Sequence, residues 1–223
     1  FNYTGRTIPD AEVPVWDPSW INNGFGQDDM YVEIPFIDAM DDFGVNCNWV
    51  KFGEYFRDTT FPLWVANETA RNNLRSGIPA PDSGHYSNNS NSDAIDWQIE
   101  CDFAGQMCPG QVISAIDIAW HGGHVMNYGD GVFGGVFIAA MHAESFFADD
   151  IMEIVEAGRQ ALPIGSKYRL VVDDVIGWHD QGIPWEETWQ LLQDKWGADD
   201  RCPDFSNPPS NDKNIDAKLN GAY

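Results

Sequence analysis

Two adjacent carboxylates, Asp28 and Asp29, follow Gln27 where a helical pattern begins. Neighbouring acids at a helix start point in different directions, so together they can bind one divalent ion or bridge two. The same position also suits Asp28 as a helix N-cap. Further along, Asp96, Glu100 and Asp102 put three acids within two turns of an otherwise apolar stretch. Acids held in a buried helix need an ion pair or a cation to offset their desolvation. His124, Asn127, Tyr128 and Asp130 gather at a glycine-rich corner that feeds the most hydrophobic helix of the chain. That corner is suited to line a ligand, whereas His121 and His142 read as structural. Asn67, Arg71 and Arg75 fall four apart on one helix face. Two arginines so placed can hold an anionic or polyhydroxylated ligand, or bridge to the chain's own carboxylates. The segment 214–221 has polar residues punctuating what reads as an ordinary amphipathic helix start.

The elements that must carry these residues are helices. A pattern beginning at Asp28 runs to about Asp42, with acids in its first turn to complement the dipole. Pro35 lies inside it and is expected to kink it. Further helices are expected at 48–57, 63–76, 94–107, 110–121, 150–161, 165–180 and 185–196. The segment 129–148 reads as a buried helix, with Gly134, Gly135, Ala139 and Ala140 permitting close contact. Between helices, 77–93 is a polar loop crowded with Pro, Gly, Ser and Asn. Strand signals are scarce, and the reading is all-α.

The chain has 223 residues, enough for one domain with a full core, and 43% are hydrophobic. A net charge of -23, from 35 acidic and 12 basic side chains, repels nucleic acid and anionic membrane surfaces and suits cation capture. No stretch has the roughly 20 apolar residues that a membrane span needs. The four cysteines, Cys47, Cys101, Cys108 and Cys202, form no C-x-x-C pair, so no structural zinc is expected. Cys101 and Cys108 are placed on one helix face, which disfavours a bond between them. Asn2, Asn67 and Asn88 open glycosylation sequons. With few lysines and ten tryptophans, the composition leans toward an extracytoplasmic setting, periplasmic or secreted. There is no initiator Met or signal peptide, and the sequence reads as the ordered part of a longer one.

Together, the segments 25–33, 98–103, 123–131 and 214–223 resemble the ADP-ribosylglycohydrolase family, in a bacterial branch, over essentially the whole chain. The resemblance implies an all-α domain of orthogonal helices around an acidic cleft that carries divalent ions, magnesium or manganese. It implies cleavage of a glycosidic bond between ADP-ribose and an acceptor. Asp28 and Asp29 match the aspartate pair of the family's metal motif, while Gln27 and Met30 stand where hydroxyl residues are usual. The family's N-terminal catalytic acid and its C-terminal Gly-x-Asp-x-Asp ligands are expected beyond Phe1 and Tyr223, so the domain is expected to be partial. By this reading Asp28 and Asp29 hold metal, Glu100 and Asp102 serve as catalytic acids, and His124, Asn127, Tyr128 and Asp130 line the sugar pocket. A glycan substrate is a variant of the same chemistry. The rival expectation is a non-catalytic sugar-binding or assembly module that kept the fold and lost the complete metal site.

Overall fold

The computed structural model describes residues 27–196. Helices make up 64% of them and no strand occurs among them, so the described chain is all-α. The expected pattern from Asp28 is split in two, α1 (Asp28–Tyr31) and α2 (Glu33–Phe43). Pro35 explains the break: it has no N–H to return to Tyr31, and it sits in the first turn of α2, where that loss costs little. α3 (Trp49–Arg57) begins where Asn48 accepts hydrogen bonds from the N–H groups of Val50 and Lys51 at 3.1 and 3.2 Å. α4 (Val65–Arg75) follows. The single helix expected over 94–107 is also broken, into α5 (Asp96–Ile99) and α6 (Asp102–Gln106). The break at Glu100 and Cys101 buries the Glu100 side chain fully.

α7 (Val112–Gly123), α8 (Asp130–Ser145), α9 (Ile151–Ala161), α10 (Lys167–Asp180) and α11 (Trp185–Trp196) complete the order close to the expected spans. α8 is the central element, packed by α5, α6, α7 and α9. Its small residues are what allow this. A Cβ on Gly135 would stand 2.1 Å from the Trp97 ring, and one on Gly134 would stand 2.8 Å from Gln98 Oε1. Trp97 is fully buried, donates Nε1–H to Ala119 O at 2.9 Å, and lies against Gly122 and Gly123 as well. One apolar cluster surrounds it, with Phe36, Phe52, Phe56, Ile118 and Val132. A second cluster, around Tyr168, Val171, Val172 and Leu192, meets α8 at Phe137.

The polar segment 77–93 is a loop, as its composition predicts, but much of it is buried. Ser83, Asn89 and Ser92 have no exposed surface. Asn89 Nδ2 donates to Ala66 O and Met126 O, both at 3.0 Å, and Ser83 Oγ donates to Val125 O at 2.7 Å. Its polar residues therefore serve as internal struts, satisfying backbone carbonyls that would otherwise be stranded. No helix of the described residues is long and apolar enough to cross a membrane.

Candidate functional site: an acidic cleft at converging helix starts

Asp28, Glu33, Asp96, Asp102 and Asp130 are each the first residue of a helix, α1, α2, α5, α6 and α8 respectively. The unpaired N–H groups and positive dipole end of each helix stabilise a carboxylate there. The first four of these acids feel one another. Asp28 raises the proton affinity of Asp96 and of Glu100, and Glu33 raises that of Glu100. The chain thus gathers its acids by gathering helix N-termini.

Asn67 on α4 organises the buried part. Its backbone N–H donates to Asp96 Oδ1 at 3.0 Å, and its Nδ2 donates to Glu100 Oε1 at 2.5 Å. Asn67 and Glu100 have no exposed surface. Burial, opposed by the Asn67 N–H, pushes Asp96 up to about 6. Burial, and after it the neighbouring Asp96 charge, hold the Glu100 carboxyl well above its usual range. Glu100 Oε2 and Asn67 Oδ1 are buried with no hydrogen-bond partner.

Glu33 and Asp102 form a second pair. Burial first, then the hydrogen bond to Asp102 and its charge, pushes Glu33 up to about 8. Asp102 Oδ2 accepts from Gln106 Nε2 at 2.7 Å, while Oδ1 is buried without another partner. Glu33 is the member of the pair whose proton is held to higher pH.

Asp28 is half-buried and Asp29 exposed, both in the first turn of α1. Asp28 is not the N-cap: that position is Gln27, and no side chain caps the helix. Donor chemistry at the pair fits a hard divalent cation, which takes carboxylate oxygens. The orphaned oxygens of Glu100 and Asp102 fit it too. The number of donors does not suffice: among the described residues no group of three or more His, Cys, Asp or Glu side chains is placed to hold a metal ion.

The four residues expected to line a sugar divide into two kinds. Asn127 is fully buried and spends its amide on the backbone, accepting from Trp97 N at 3.0 Å and donating to Ser92 O and Ala94 O at 2.9 and 3.0 Å. Asp130 is 6% exposed and accepts from Tyr168 N at 3.3 Å. Asn127 fixes the turn ahead of α8, and Asp130 ties the start of α8 to α10. His124 and Tyr128 are ring neighbours, centroids 5.8 Å apart. His124 Nδ1 lies 2.7 Å from Trp120 O, and burial lowers its proton affinity, keeping it neutral.

Arg71 and Arg75 serve neither expected use. Arg71 Nη1 donates to Thr59 O and Phe61 O at 3.4 and 2.7 Å, and Arg75 Nη2 donates to Thr59 O. They tie the 58–62 loop to α4 through its carbonyls. Cys47, Cys101 and Cys108 are free and buried, while Cys202 and the segment 214–221 lie outside the described residues. A cavity lined by Val50, Gly53, Glu54, Arg57, Leu74 and Pro79 shares no residue with the acidic group. Sequence reasoning missed Glu33 as a site residue and Asn67 as the partner of Glu100. The signal for Glu33 was its spacing of four from Asp29; nothing local in the sequence pairs Asn67 with Glu100, 33 positions away. No family model, curated protein or solved structure matches the chain.

Proposed function

We propose that the chain is a metal-dependent glycohydrolase that cleaves an ADP-ribosyl or related glycosidic bond in this acidic cleft. The observation that carries the reading is the fully buried Glu100 carboxyl, whose Oε2 has no partner although Asp28, Asp96 and Glu33 all act on it. Folding has accepted the cost of assembling like charges, and a bound cation would offset that cost. Asp28 and Asp29 would hold magnesium or manganese with donors from outside the described residues. A bound ion supplies positive charge that orients substrate hydroxyls and activates water.

The chain's own carboxyls do the rest. Glu33, whose proton affinity burial and the adjacent Asp102 raise, suits general acid–base work on a leaving oxygen. Glu100 lies behind them, fully buried and restrained by Asn67, and acts on the cluster without meeting substrate. The negative charge of the cluster favours the cationic sugar that develops as a glycosidic bond breaks. Tyr128 offers its ring to the sugar with the buried His124 packed against it, Asn127 positions the turn that bears them, and Asp130 ties the start of α8 to α10. An extracytoplasmic setting belongs to the same reading. The second reading, a sugar-binding or assembly module without catalysis, is favoured by the lack of a third metal-ligating side chain among the described residues.

Turnover separates the two. Release of ADP-ribose from ADP-ribosylated arginine or of reducing ends from oligosaccharides, on at least one of the two, is expected only with magnesium or manganese. Asp102→Asn is expected to abolish it with helical circular dichroism unchanged. Turnover on neither substrate with either ion selects the module.

A further inference from the structure

The structure carries a run of rings of which the proposed chemistry uses only a part. Trp120 and Trp49 flank His124, with centroids 4.4 and 5.9 Å from it. His124 meets Tyr128, which meets His85 at 4.5 Å and Tyr86 at 5.7 Å. These six rings come from three separate parts of the chain: the start of α3, the end of α7 with its following turn, and the 77–93 loop. Trp120 is 40% exposed, and Trp49, His85, Tyr86 and Tyr128 are partly exposed. Tyr128 N donates to Ser92 O at 2.7 Å, tying the ring-bearing turn to the segment that leads into α5.

We propose that these rings form a platform for uncharged sugar residues, so that the substrate is a neutral glycan rather than a diphosphate-bearing ADP-ribosyl group. The inference rests on the glycohydrolase reading for the bond that is cleaved, but the platform binds by its own chemistry. A pyranose has an apolar face of C–H groups and a rim of hydroxyls. Aromatic rings with polar edges match both, covering the face while an indole N–H, a phenol or an imidazole nitrogen meets the rim. One nitrogen of each histidine is already engaged, His124 Nδ1 with Trp120 O and His85 Nδ1 with Ser87 Oγ at 2.8 Å. That fixes each ring; His124 is buried at the centre of the run, and the partly exposed His85 keeps its second nitrogen for a hydroxyl.

The same surroundings oppose a diphosphate. Phosphates are held by arginine, lysine or an open helix N-terminus. Arg71 and Arg75 are turned toward the carbonyls of residues 57–61 and held there by hydrogen bonds. Lys51, Arg57, Arg159 and Lys195 are ion-paired to Glu54, Asp58, Asp173 and Asp174. The helix N-termini around the cleft already carry their own acids, including Asp130 beside Tyr128. The net charge of -23 adds a general repulsion of anions.

The test is affinity electrophoresis of the chain in EDTA, through native gels containing starch, hydroxyethylcellulose, xylan or galactomannan, with calorimetric titration of ADP-ribose alongside. Because EDTA removes any ion, glycan binding is read independently of metal-dependent turnover, and either result can fail alone. The expected result is retardation in at least one neutral gel and no heat from ADP-ribose. Trp120→Ala and Tyr86→Ala should each weaken the retardation about tenfold, the loss of one stacking contact. Trp120→Phe, which keeps a ring, should restore most of it and guards against a misfolded alanine variant. ADP-ribose binding without retardation, retardation that survives both alanine substitutions, or no binding of either probe would overturn the proposal.

Discussion

The side-chain amide of Asn67 donates to Glu100 Oε1 at 2.5 Å in a space closed to solvent, joining α4 to the end of α5. The bond compensates one oxygen of a carboxyl that water cannot reach. Asn67→Leu removes the donor while leaving Glu100 in place, and is expected to destabilise the chain by about 1–3 kcal/mol, the penalty of an unsatisfied buried polar group. Pairing it with Glu100→Met, which removes the acceptor as well, should recover part of that loss. Urea unfolding of the single and double variants measures the coupling, and strictly additive losses would show that the bond contributes nothing.

Stability should fall as the pH rises. Glu33 is held up to about 8, Asp96 up to about 6, and Glu100 well above its usual range, burial leading in each case. Each acid therefore binds more protons folded than unfolded, so its contribution is complete below the ordinary carboxylate value and is lost as pH climbs through the folded value. Thermal melts are expected to show Tm declining from about pH 5 to about pH 8.5. Glu33→Gln should flatten the upper part of that decline, and a Tm that rises across the window would contradict the assignment.

The approach of α6 to α8 depends on a missing side chain. A Cβ on Gly105 would lie 2.3 Å from Ala139 O and 2.9 Å from Ala143 N, both backbone atoms that cannot turn aside. Gly105→Ala should cost at least about 1–3 kcal/mol by overpacking and shift Asp102 within the cleft. Gly177→Ala, at a position with nothing within 4 Å, is the control and should not destabilise. Denaturation midpoints of the two variants check this, and equal midpoints would refute the packing argument.

Much of this was legible in the sequence because the signals were local. Helical periodicity located α3, α4 and α7 to α11 within a few residues, and Pro35 announced the break between α1 and α2. Small residues at Gly134, Gly135, Ala139 and Ala140 marked α8 as the element others pack against. The break at Glu100 was not legible, since 94–107 reads as one continuous pattern and only tertiary contact with Asn67 rewards turning Glu100 inward. For the same reason Asn127 and Asp130 looked like ligand-facing residues. A polar side chain in a glycine-rich corner has the same sequence signature whether it meets a sugar or a stranded backbone group. Arg71 and Arg75 posed a similar ambiguity, resolved by loop carbonyls that no spacing rule foresees. The Glu33–Asp102 pair joins two helix starts nearly seventy positions apart, beyond any local pattern.

The central claim, that the acidic cleft is a cation site built on Asp28 and Asp29, is tested most directly by calorimetric titration of manganese into the chain at neutral pH. Saturable binding is expected in the wild type, strongly weakened in Asp28→Asn and in Asp29→Asn. It should be unchanged in Asp117→Asn, an acid on α7 beside His121 that serves as control for diffuse binding to an acidic surface. No heat above dilution in the wild type, or the same isotherm in all four proteins, would contradict the account.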